Sequence, residues 1–138
     1  MTRDLSAYIF DSELAKEIES RSRTLSLGQG GILFHQGDMA EGVYLVRLGE
    51  IMLTRRSTTG AVLMQLRVGR GSLLALPEAV GSEPCNQSAE ACTVAELGFV
   101  SRKEFVQKMR AEPRLLLKVL EVLASDLRYS RYALRAIA

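Results

Sequence analysis

The residues able to do chemistry are few. The 138-residue chain has one histidine, His35, and two cysteines, Cys85 and Cys92. A Ser-His-Asp triad would need His35 as its base, and no GxSxG elbow accompanies it. A metal centre built from several histidines is excluded by the count alone. Cys85 and Cys92 stand seven apart with no CxxC pair, and an iron–sulfur cluster takes about four thiolates. They read as buried free thiols, and His35 as a structural or surface residue beside a turn. No enzyme activity, metal or cofactor is expected.

Charge is more informative. Residues 71–101 contain no lysine or arginine, although the chain holds 18 of them. The same stretch carries Glu78, Glu83, Glu90 and Glu96. Anions are normally held by a guanidinium or ammonium together with backbone N–H groups. An anion site built here must take its cation from elsewhere in the fold. From Arg102 onward there are nine basic and four acidic residues, which reads as a solvated helix face. A net charge of +2 with both signs interspersed gives no ground for direct nucleic-acid binding.

A hydrophobic content of 47% excludes a disordered chain, and the length suits one domain with a real core. No apolar run approaches the roughly 20 residues of a membrane span, and no signal peptide opens the chain. A cytoplasmic protein off the membrane is expected.

The elements that must position these residues follow from periodicity. Residues 11–22 read as a helix, with Leu14 and Ile18 one turn apart and Asp11 or Ser12 as cap. Thr24–Leu27, Ile32–Phe34, Val43–Val46, Ile51–Thr54 and Ala61–Val68 are short strands separated by glycine-containing turns. Pro77 suits the first turn of a short helix over 77–80, with Glu78 favourable at its start. Residues 81–87 read as a polar loop and 89–100 as strand. Ser101 and Glu104 form a capping box ahead of Phe105 and Met109. Pro113 then restarts a helix that continues to the end.

In that last helix Leu116, Leu120, Leu123, Leu127, Leu134 and Ile137 follow alternating four- and three-residue steps, with Ser130 at the one missing position. This is an a/d seam of three heptads, favouring a homodimer. A single amphipathic helix packed on its own domain is the competing reading.

The expected architecture is α+β. One domain over 1–138 divides into an N-terminal helical segment (1–23), an antiparallel jelly-roll-like β-roll (24–100) and C-terminal helices (101–138). The order of Gly31-Ile32-Leu33-Phe34, Gln36-Gly37-Asp38, Tyr44-Leu45-Val46 and Gly49-Glu50-Ile51 resembles the cyclic-nucleotide-binding domain of catabolite-activator (Crp/Fnr) regulators. Gly69, Gly71, the short helix, Ala89–Phe99, Phe105 and Pro113 follow in the same order, so the resemblance spans roughly residues 8–137. It implies a role in signal transduction and transcription regulation, with the long C-terminal helix as dimer axis.

The resemblance also implies a phosphate-binding cassette, reading about F-G-E-x-A-L, a loop, then R-[ST]-A. This chain departs from it. Leu74-Ala75-Leu76-Pro77-Glu78 stands where F-G-E is expected, so Leu76 takes the glutamate position and Glu78 comes two residues late. Cys85, followed by Asn86 and Gln87, falls at the arginine position; a shift of two puts Gln87 there instead. A lost charge-assisted contact forfeits about 1.5–3 kcal/mol. Ordinary cAMP or cGMP binding is therefore expected to be absent or very weak. A small-molecule effector, if taken, would be neutral or apolar, lined by Leu74, Leu76, Cys85 and Gln87. Ser130 matches a base-contacting position of the family, and Arg131 follows it as a cation able to turn toward the pocket; seam packing and solvent remain the alternatives. No helix-turn-helix unit is recognisable up to Ala138, so a sensory half of a transcription regulator, or a ligand-free interaction module, stands beside the sensor reading.

Overall fold

The computed structural model describes residues 12–137, with side chains described over 13–125. Helix α1 (Ser12–Arg21) precedes strands β1 (Arg23–Leu27), β2 (Ile32–Phe34), β3 (Gly42–Leu48), β4 (Ile51–Arg56), β5 (Val62–Val68) and β6 (Leu73–Leu74). Then come helix α2 (Leu76–Gly81), strands β7 (Ser88–Ala91) and β8 (Ala95–Ser101), and helices α3 (Arg102–Ala111) and α4 (Pro113–Ile137). The α+β roll with flanking helices is the architecture expected from sequence.

Two antiparallel sheets face each other, ordered β1-β8-β3-β6 and β2-β7-β4-β5. The stretch read as one strand over 89–100 is two, in different sheets. The chain leaves one sheet at Ala91 and enters the other at Ala95. The turn between them is fixed by Cys92 N–H donating to the Glu50 carbonyl (2.9 Å) and Glu50 N–H to Thr93 Oγ1 (3.1 Å).

The sheet holding β3 is a middle layer with apolar side chains on both faces. Tyr44 and Val46 of β3, Leu74 of β6 and Leu97 and Phe99 of β8 point between the sheets. Val43 and Leu45, Leu73 and Val100 point the other way, onto Leu14 and Ile18 of α1, Phe105 and Met109 of α3, and Leu115 and Val119 of α4. The strand alternation of period two distributes these residues between two cores. Truncating a fully buried member such as Leu97 to Ala removes about 2–5 kcal/mol.

Local chemistry sets the ends. The Ser101 hydroxyl accepts the Glu104 N–H (3.2 Å) and donates to Glu104 Oε1 (3.1 Å), which starts α3. Arg47 of β3 donates to Glu19 (3.0 Å), Thr24 (2.6 Å) and Ser22 (2.6 Å), tying α1 to β1.

Gly49, at φ +84°, closes the β3–β4 turn against the 93–95 turn; a Cβ there would lie 2.3 Å from the Val94 carbonyl oxygen. Gly60 has φ +89° and open space around it. Gly60→Ala is expected to cost only the left-handed penalty of about 1 kcal/mol, and Gly49→Ala at least about 2 kcal/mol more because backbone must move. Urea unfolding of the two variants checks this, equal losses being the contrary result.

Candidate functional site

The residues that resemble the family motif are tied into the fold by hydrogen bonds. Gln36 donates through Nε2 to the Arg56 carbonyl (2.9 Å) and accepts the Arg56 N–H (2.8 Å), joining the end of β2 to the end of β4. Gly37, at φ +96°, turns the chain. Asp38 Oδ2 accepts the His35 N–H, and Asp38 N–H donates to the His35 carbonyl, both at 3.0 Å. His35 is exposed and serves this turn through its backbone.

The turn is stitched to the loop that follows α2. Gly37 N–H donates to the Cys85 carbonyl and Cys85 N–H to the Asp38 carbonyl, both at 2.7 Å. Beside this junction lies a cleft of about 380 Å³. Leu33 and Phe34 of β2, Asp38, Met39 and Glu41 of the loop, Tyr44 of β3 and Cys85 line it. Phe34, Tyr44 and Phe99 form a row, with ring centroids 5.6 and 5.0 Å apart.

The electrostatics of this corner are negative. Burial pushes the Cys85 thiol up to about 11, and the carboxylates of Glu78 and Asp38 push the same way. Burial likewise pushes the Tyr44 phenol up to about 12, helped by Glu41 and Cys85 and opposed by Arg23. Arg23 lies over the Phe99 ring, 5.0 Å from its centroid. Sequence reasoning missed Arg23 because β1–β8 pairing, a long-range contact, sets it opposite Phe99.

The cassette positions separate. Ala75 holds a left-handed turn (φ 65°) at the start of α2, where the resemblance puts glycine. Leu74 packs between the sheets and Leu76 on the helix side, so they do not share one pocket wall. Pro77 deprives the first turn of α2 of one N–H, and Glu78 adds a negative charge there. Cys85 and Gln87 are buried, and Asn86 is exposed. Cys85 alone of these lines the cleft. The side chains of Ser130, Arg131, Leu127, Leu134 and Ile137 lie outside the described residues.

Arg102 links the cleft to the helices. Its N–H donates to the Glu41 carbonyl at 2.9 Å, and its Nε to the Ala79 carbonyl at the end of α2 at 2.8 Å. A wider groove of about 850 Å³ between α1 and α4 is lined by charges of both signs, including Glu13, Lys16, Arg114 and Lys118. Among the described residues no cluster of three or more His, Cys, Asp or Glu is placed to hold a metal ion, and no helix is long and apolar enough to cross a membrane.

Residues 24–112 match the model of the cyclic nucleotide-binding domain. The chain belongs to this family. The Thermus thermophilus catabolite activator protein superposes with a TM-score of 0.80 at 25% identity, over 92% of this chain and 60% of that one. The N-terminal domain of a transcriptional regulator from Streptomyces coelicolor gives 0.72 at 25% identity, over 89% and 88% of the two chains. The sensor domain of the regulator DNR from Pseudomonas aeruginosa shares the fold, with a TM-score of 0.71 at 20% identity, over 89% and 82%. A stretch of 104 residues is 24% identical to Lysophospholipase NTE1 of Chaetomium globosum; it covers 75% of this chain and 7% of that protein's length. This cyclic nucleotide-binding-like domain is thus a regulatory module resembling Crp/Fnr sensor domains.

The raised thiol fixes a pH dependence. Cys85 moves from 9.0 unfolded to about 11 folded, so the folded state favours the neutral thiol. Its contribution is intact below about pH 9 and is lost as pH rises through about 11. Thermal melts across that window should show a fall in Tm that is shallower in Cys85→Ala; parallel curves would contradict it.

Proposed function

We propose that this chain is the sensory domain of a regulator and that its roll no longer binds cyclic nucleotides in the ordinary way. The observation that supports this is the negative surrounding of Cys85, the residue at the cassette's arginine position. Glu78 and Asp38 both act on its thiol. Arg102 is engaged with the Ala79 carbonyl and Arg23 with the Phe99 ring. A cyclic phosphate placed there would meet like charge and lack a bidentate partner. Isothermal titration with cAMP and cGMP should give no binding in the low-micromolar range; such affinity for either would overturn the proposal.

The same reading includes a homodimer through α4. Leu115 and Val119 are buried against the domain and Val122 packs beside them. The seam starts one residue away, with Leu116 41% and Leu120 54% exposed, while Leu123 joins Val122 against the domain core. A stripe displaced from the helix's own core face supports a second copy as its occupant. Leu120→Asp should shift the protein from dimer to monomer in sedimentation analysis without loss of fold. A wild-type monomer at micromolar concentration would sink the seam.

A second reading makes the chain the effector-sensing half of a transcription regulator with its DNA reader outside this sequence. It is favoured by the likeness to a regulator's N-terminal domain and by coverage of 60% of the catabolite activator chain. On either reading, Arg102 gives a route from the cleft and α2 to α3 and so to α4.

A further inference from the structure

Resting on the loss of phosphate binding, one step further concerns what the roll takes instead. We propose that the cleft between β2 and Cys85 binds a small organic cation, with Phe34 and Tyr44 as its aromatic wall and Asp38 and Glu41 as its counter-charges.

Four observations converge there. The volume, about 380 Å³, lies at the small end of ligand pockets, which run about 300–1,000 Å³. The cleft's titratable lining consists of two carboxylates, a phenol and a thiol, and among the described residues no lysine or arginine lines it. The Tyr44 side chain is 5% exposed, and its hydroxyl has no hydrogen-bond partner among the described residues. Glu41 and Cys85, both of which line the cleft, act on that hydroxyl, and Arg23 acts on it from the Phe99 end of the row. A buried donor left without a partner is costly unless a ligand or water completes it.

The class of ligand follows from the walls. Aromatic faces attract cations whose hydration is weak, and desolvation strengthens the attraction. The same aromatic row already carries one cation on its far end, Arg23 over Phe99. A metal ion needs about six or more oxygen ligands if it is calcium-like, and this cleft offers two carboxylates set among apolar side chains. A quaternary ammonium fits both features, since it carries charge without a tightly held water shell. Asp38 keeps one carboxylate oxygen on the His35 N–H. The Glu41 carboxylate makes no ion pair among the described residues. Because the Glu41 carbonyl holds the Arg102 N–H, a ligand drawn to Glu41 pulls on the start of α3.

The test uses the full chain and three probes: choline, its uncharged carbon isostere 3,3-dimethylbutan-1-ol, and cAMP. Choline should bind with a Kd of about 1 mM or tighter and about 10-fold more strongly than the isostere. Its amide shifts in NMR should centre on Gly37, Tyr44 and Cys85. Glu41→Gln and Asp38→Asn, both of which keep an acceptor in place, should each weaken choline about 3- to 10-fold while Tm stays unchanged. Tyr44→Phe should weaken it without moving the shifts elsewhere. Equal binding of the isostere, shifts centred on another surface, or unaltered affinity in both carboxylate variants would overturn the cation site. Binding of neither choline nor cAMP overturns the cation site alone. Low-micromolar binding of cAMP overturns the reading beneath it.

Discussion

The burial of β3 on both faces is the constraint around which the rest is arranged. Its run of five residues, Gly42-Val43-Tyr44-Leu45-Val46, is wholly buried. A strand of this kind cannot be left at a surface, so it needs one cover on each side. The second sheet supplies one, through Phe34, Ile51 and Leu53. Helices α1, α3 and α4 supply the other, through Leu14, Phe105 and Val119. Gly42 belongs to the same constraint, because a Cβ there would stand 2.1 Å from the Val100 carbonyl oxygen across the β3–β8 pairing. The middle sheet therefore couples two cores whose buried members are distinct and which only Ala40, at the edge, touches in common, so a shift in one is felt mainly through its strands.

Much of this was legible because it is local. Glycines at Gly37, Gly49 and Gly60 all adopt positive φ, and each marks a turn that separates apolar runs. Leu14 and Ile18 lie one helical turn apart and both fall in the helix-side core. Ser101 and Glu104 form their cap from neighbours three residues apart. The turn between β7 and β8 was harder to see, since Cys92, Thr93 and Val94 contain no glycine or proline. Its turn is held by Glu50, some forty positions earlier in the chain. Strand β6 has two residues and carries no pattern of its own; pairing with Tyr44 and Leu45 defines it.

The site was less legible for a related reason. The order of motifs locates the cassette, but side-chain direction there depends on Ala75 and its left-handed turn. That turn sends Leu74 and Leu76 to opposite cores, a split that spacing alone does not reveal. The α4 helix shows the opposite difficulty. Leu115, Leu116 and Leu117 are consecutive, so two apolar stripes overlap and the heptad seam hides the neighbouring stripe that Leu115 and Val119 bury. On the proposed dimer, so wide an apolar arc suits a segment that serves both its own domain and a partner.

On the proposed reading, a cassette without its arginine is a change in the sign of one corner rather than the loss of one contact. Buried charge must be matched, and a corner that held a phosphate would need a cation to offset it. Here burial first, and then Glu78 and Asp38, oppose ionisation of the thiol at that position. Restoring an arginine at position 85 would place a long cationic side chain where the residue is 2% exposed and both adjoining backbone groups are committed to the 37–38 turn. A charge gained there would have to displace packed atoms as well as find its anion. On the proposed reading, the Gln36–Asp38 turn and the Arg102 tether to α3 outlast the anion chemistry because they answer to the fold. What enters the cleft then answers to Phe34, Tyr44 and two carboxylates, whose field attracts positive charge and repels a phosphate.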